Sequence, residues 1–167
     1  MGQARINFVK QQGFEDLSGS ACDLQYGALM FQPRLIGLLV VGCVVLQAPY
    51  GFLVLAGLLW WNALTPKLNP IDWLYNHLVA APRDLPSLTP APGPRRFAQG
   101  MAGTFMLGIG GSLLAGWTAL AWALEALLLV ALGALVFGAF CLGSLLFHLL
   151  AGRAHFAKRT LPWARNV

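Results

Sequence analysis

Residues 35–64 read LIGLLVVGCVVLQAPYGFLVLAGLLWWNAL, and residues 97–150 read FAQGMAGTFMLGIGGSLLAGWTALAWALEALLLVALGALVFGAFCLGSLLFHLL. All eleven Lys and Arg residues lie outside these two blocks, and Glu125 is the one acid inside them. With 57% hydrophobic and 10% charged residues, a soluble chain of 167 residues would lack the polar groups to cover its own apolar surface. The expected class is therefore an all-α integral membrane protein. Thirty residues of helix reach roughly 45 Å against a hydrocarbon core of about 30 Å, so each block must fold back on itself.

The first block has a turn signal at Ala48-Pro49-Tyr50-Gly51, and the second at Gly116-Trp117-Thr118. Four transmembrane helices in two tandem hairpins result, with short interfacial helices after the second and fourth spans. The first span is extended back toward Tyr26, with Arg34 snorkelling to the headgroups. The expected organisation is an N-terminal segment 1–25, a membrane domain 26–152 and a basic tail 153–167. Within the membrane domain lie a hairpin 26–65, an interfacial segment and Pro-rich strap 66–96, and a hairpin 97–150. Neither tight turn is charged, whereas basic residues flank the blocks: Lys67, Arg83, Arg95 and Arg96 between them, and Arg153, Lys158, Arg159 and Arg165 behind. The positive-inside rule then places both termini and the middle connection in the cytoplasm of a bacterial inner membrane. No early apolar core with a cleavage site marks a signal peptide.

The blocks also look like copies of each other. Gln32-Pro33-Arg34 resembles Gly93-Pro94-Arg95, and Pro70-Ile-Asp-Trp-Leu-Tyr-Asn-His77-Leu resembles Cys141-Leu-Gly-Ser-Leu-Leu-Phe-His148-Leu. Copies of two crossings each share one orientation, so the relating axis lies along the membrane normal. Pro82, Pro86, Pro90, Pro92 and Pro94 predict an extended strap that tethers the hairpins without packing deeply.

Few residues offer chemistry. Gly100, Thr104, Gly108, Ser112 and Gly116 recur every four residues and predict a close helix contact, against the fourth span or in a homo-oligomer. Cys141 lies late in an apolar run longer than one crossing, which places it at the cytoplasmic interface at the start of a short helix, as a candidate reacting thiol. An inert buried cysteine is the bland alternative, and Cys43 reads as mid-span. His77 and His148 occupy equivalent places in the repeats, which admits a haem or metal between them, although interfacial histidines need no ligand. Glu125 is an intramembrane acid with Trp122, Thr118 or Ser112 within reach, unless it stays protonated or reaches the outer interface. Asp72 reads as the polar side of an interfacial helix, and His155 as a solvated residue of the tail. Three scattered cysteines without a Cys-x-x-Cys pair argue against disulfides and zinc, and no paired carboxylates, phosphate loop or Ser-His-Asp set is present. The charge of +5 sits in flanks that suit anionic headgroups, and no basic helix with stacking aromatics suggests nucleic acid.

At Pro94-Arg-Arg-Phe-Ala-Gln-Gly100 and Phe140-Cys-Leu-Gly-Ser144 the chain resembles the bacterial membrane family known as domain of unknown function 4395, over residues 24–152. The resemblance implies a small multi-helix inner-membrane protein, related to chains that carry Cys-x-x-Cys at the second motif and accompany thioredoxin-like or sulfurtransferase domains. Here Ser144 replaces the second cysteine, so a lone thiol would oxidise to a sulfenic acid or an adduct rather than an internal disulfide. The leading expectation is an accessory or scaffold subunit of a membrane redox or sulfur-handling system, with the bilayer and a membrane partner or second copy around it. A thiol or sulfur carrier using Cys141 is the second, and a small transporter or cofactor-binding bundle at His77, His148 or Glu125 the third. No cofactor is required by the residues themselves.

Overall fold

The structure, a computed structural model, describes residues 2–14 and 19–164. Among the described residues it is all-helical, without a strand. In chain order the helices are α1 (Gln3–Gln11), α2 (Gly19–Val45), α3 (Pro49–Leu64), α4 (Pro70–Tyr75), α5 (Gly93–Leu114), α6 (Thr118–Gly138), α7 (Leu142–Leu150) and α8 (Ala154–Arg159). Three of them, α2, α5 and α6, are long and apolar enough to cross a membrane. The 16-residue α3 is apolar but shorter, roughly 24 Å.

Local chemistry sets the ends of these helices. Proline opens α3, α4 and α5 at or next to the first helical residue, where its missing N–H is no loss. Asn69 caps α4 by accepting from the backbone of Ile71 and Asp72. The two tight turns close alike. The second residue after each helix turns left-handed, Gln47 at φ 46° and Gly116 at φ 74°, and the next N–H returns five residues, Ala48 to Cys43 and Trp117 to Ser112. α3 therefore begins at Pro49, and the reversal lies at residues 46–48, ahead of the expected Ala48–Gly51 turn. Gly51 is already inside α3, where a Cβ would stand 2.6 Å from Cys43 Sγ. Cys43 is thus two residues from the end of α2, not mid-span. α2 starts at Gly19, earlier than Tyr26, and Arg34 is exposed.

The tightest helix pair is α3 with α5, across the strap, and the two run antiparallel. A Cβ on Gly110 would stand 2.9 Å from both Leu53 and the Pro49 carbonyl. One on Gly103 would stand 2.9 Å from Trp60, and one on Gly100 3.7 Å from Trp60. The buried core between them holds Phe52, Leu55, Ala56, Leu59, Met106 and Ile109. Of the small stripe, Gly100 faces α3, Gly108 faces Leu124 of α6, Thr104 donates back to the Gly100 carbonyl, and Ser112 is buried. Gly116 lies beyond the helix with open space around it, so its role is the turn, not packing.

The strap packs more deeply than its composition predicts. Leu88 and Ala91 are buried, and the Asn76 side chain accepts from Leu88 N at 2.7 Å and donates to Leu88 O at 3.2 Å. A side-chain amide offers both halves of a backbone pairing, which proline-rich composition does not reveal. α1 meets the C-terminal segment: Asn7 Nδ2 donates to Leu161 O at 2.8 Å and Ala164 O at 3.0 Å. Short helices follow α3 and α6, as the sequence suggests, and α6 breaks after Gly138 at the left-handed Ala139.

Candidate functional site

Gln32 on α2 sits one residue before Pro33, which breaks the backbone ladder inside that helix. Arg95 and Gln99 are four apart on α5 and so share a face. α4 brings Asp72 to the same point. Arg95 donates from Nη2 to Asp72 Oδ1 at 2.6 Å and from Nη1 to Asp72 Oδ2 at 3.0 Å, a two-point pair. Arg95 Nη2 also donates to Gln32 Oε1 at 2.8 Å, and Gln99 Nε2 to the same oxygen at 2.9 Å. All four side chains are buried, with at most 7% exposure. Asp72 is therefore half of a buried ion pair, which corrects its reading as the polar side of a surface helix.

Two polar atoms of this cluster remain without a partner: Gln32 Nε2 and Gln99 Oε1. Both glutamines line a cavity of about 90 Å³ whose other walls include Gln12, Ala98, Leu135 and Cys141. Beside it, a second space of about 200 Å³ runs between α5 and α6 along Ala102, Phe105, Leu128, Leu132 and Leu135, and Cys141 lines this one also. The second space is almost wholly apolar, and it reaches Leu127, which is 59% exposed.

Cys141 occupies the cap position of α7, as expected for the start of a short helix after the fourth apolar segment, and is 6% exposed. Ser144 Oγ lies 3.3 Å from its sulfur and 3.4 Å from Pro94 O. A Cβ on Gly143 would stand 2.7 Å from Ala98, and Phe147 packs on Gly93 and, at 5.9 Å, on Phe97. The segments Pro94–Gly100 and Phe140–Ser144, which carry the resemblance, thus lie against one another. Both segments stand out in the sequence, whereas the joint role of Gln32, Asp72, Arg95 and Gln99 does not. The available signal was that Gln32, Arg95 and Gln99 fall within the repeated or family-like segments, close to apolar blocks where polar residues are costly.

The histidines have separate surroundings. His77 is exposed, stacked on Trp73 at 4.3 Å, with Nδ1 2.9 Å from Trp73 O. His148 is fully buried among Phe147 and Phe156, and its Nε2 lies 3.0 Å from Gln11 O, so Nε2 carries the proton. No group of three metal-ligating side chains occurs among the described residues. His155 is exposed. Glu125 is 4% exposed and accepts from Gln47 Nε2 at 3.1 and 3.2 Å. Trp122 donates to Gln47 Oε1 at 3.2 Å instead of to Glu125. The acid's partner is thus in the turn between α2 and α3, far off in sequence, and not among the neighbours on its own helix.

A family model described as Domain of unknown function (DUF4395) matches residues 28–151, a range that contains the ion pair, Cys141 and every lining residue of the two cavities except Phe8 and Gln12. No curated protein and no solved structure matches the chain.

Proposed function

This chain belongs to the family described as Domain of unknown function (DUF4395), and from that premise we propose that it is a four-crossing protein of the bacterial inner membrane serving a redox or sulfur-handling system through Cys141. Both termini are cytoplasmic in this reading. The bond from Asn7 to the Leu161 and Ala164 carbonyls supports it, because termini in contact lie on one side of the membrane. An even number of crossings follows, and α3, laid antiparallel on α5, supplies the fourth. Uncharged outer turns and basic flanks orient the bundle. Cysteines placed at Tyr50 and Trp117, both exposed, should react with an impermeant reagent outside spheroplasts, and one at Thr89 should not. The reverse pattern would overturn the orientation.

The observation that carries the choice of Cys141 is that this residue lines two adjoining cavities, one of them also lined by Gln32 and Gln99 with their unpartnered buried amide atoms. A packing cysteine has no such space beside it. Its 6% exposure disfavours direct exchange with a thioredoxin-like or sulfurtransferase domain and favours a small molecule that enters between helices. Ser144 supplies no resolving thiol, so the sulfur acts singly. The test is intact-mass measurement after brief treatment with N-ethylmaleimide and with a bulky charged maleimide. The small reagent should modify Cys141 and the large one should not. Modification of Cys141 no faster than of the fully buried Cys22 would sink the thiol reading and return the scaffold role to the front.

A further inference from the structure

The amide orientations in the buried cluster are dictated by Arg95. A guanidinium only donates, so the Gln32 atom facing it is oxygen, and the Gln99 atom facing that oxygen must be nitrogen. What is left over is one donor, Gln32 Nε2, and one acceptor, Gln99 Oε1, on neighbouring amides beside a common cavity. Buried polar atoms are rarely left bare, because each costs about 1–3 kcal/mol without a partner. Arg95 is the one charged side chain lining the two cavities among the described residues, and Asp72 cancels it. The site is therefore electrically neutral and asks for a group that donates and accepts at one point.

Size and polarity complete the match. The 90 Å³ space has room for about three waters. The adjoining 200 Å³ space is lined by Ala102, Phe105, Leu128 and their neighbours, is larger than the roughly 150 Å³ apolar cavities that bind benzene, and lacks the polar partners an ordered water needs. Ala98 and Ala102, both small, form walls of both spaces. We propose that they form one binding site for a neutral, single-ring hydroxylated amphiphile, a phenol or a quinol, whose hydroxyl bridges Gln32 Nε2 and Gln99 Oε1. The ring lies beside Cys141 and the tail passes between α5 and α6 toward lipid at Leu127. The inference deepens the reading of Cys141 above and rests on it only for the role of the thiol.

The test uses the full chain in lipid nanodiscs with 4-hexylphenol, hexylbenzene and 4-hexylbenzoate. Two readouts are taken: the rate of Cys141 modification by N-ethylmaleimide, and the thermal shift of the Cys141→Ser variant. 4-Hexylphenol should slow modification and raise the melting temperature. The hydrocarbon, which lacks the hydroxyl, and the carboxylate, which brings an uncompensated charge, should each bind at least roughly tenfold more weakly. Gln99→Met should weaken 4-hexylphenol by about tenfold and leave hexylbenzene unchanged. Ala102→Leu, which adds bulk to the wall common to both spaces, should abolish both. Equal binding of phenol and hydrocarbon, or no effect of either variant, would mean that waters alone satisfy the amides and would overturn the site. A thermal shift with an unreactive Cys141 would remove the thiol reading and keep this one, whereas a reactive Cys141 with neither protection nor shift would do the reverse.

Discussion

Asp72 and Arg95, twenty-three residues apart and separated by the Pro-rich strap, meet in a two-point ion pair with contacts of 2.6 and 3.0 Å. The pair ties α4 to α5, and through Gln32 it ties both to α2. Asp72→Ala leaves the guanidinium buried and uncompensated, and the expected loss is about 3–5 kcal/mol. Combining Asp72→Leu with Arg95→Met should recover most of it, because an apolar pair has no desolvation cost to offset. Thermal unfolding in nanodiscs reads both. A double variant as unstable as Asp72→Ala would show that the charges themselves, and not the avoidance of an orphan, hold the junction.

Neighbouring glycines on α5 should respond oppositely to the same added methyl. At Gly110 it would stand 2.9 Å from the Pro49 carbonyl, and backbone cannot swing aside. At Gly111 nothing lies within 4 Å. Gly110→Ala should therefore cost about 1–3 kcal/mol, and Gly111→Ala should be neutral or slightly stabilising. Similar melting temperatures for the two variants would mean that the α3 and α5 contact is misplaced.

Gln47 holds a left-handed backbone that glycine fills at the other turn, and in exchange its amide partners Glu125 and Trp122. Gln47→Gly relieves strain of about 1–3 kcal/mol but strips the buried Glu125 carboxyl of both contacts from the Gln47 amide, a loss of similar or larger size. The net effect should be destabilising, and adding Glu125→Leu should restore stability to wild type or above. If Gln47→Gly alone is stabilising, backbone strain outweighs the buried acid, and the side chain of Gln47 is dispensable.

Asn76 pins the strap by both polar atoms of Leu88's backbone. Asn76→Ala should release residues 84–90 without unfolding the helices. Limited proteolysis should then cut the strap several-fold faster while the melting temperature falls by only a few degrees. An unchanged cleavage rate would show that burial of Leu88 and Ala91 suffices.

The location of the apolar helices was written in composition and spacing alone. A block of uncharged residues longer than the hydrocarbon core must reverse, and the reversals fall at residues 46–48, just ahead of Pro49, and at 115–117, around Gly116. The break after Gly138 and the short helix starting beside Cys141 follow from the same arithmetic. Tertiary structure alone decided who meets whom. Asp72 could not be matched to Arg95, nor Gln47 to Glu125, because hydrogen-bond partners depend on helix rotation and depth, which apolar runs with little periodic polarity leave undetermined. The small stripe was legible as a tendency to pack closely, yet α3, and not α6, takes the tightest contact, because backbone approach is settled by the facing side chains. The cavity beside Cys141 exists in no segment of the chain. It arises where α1, α2, α5, α6 and α7 converge, so only their packing could expose an unpaired donor and acceptor next to a thiol.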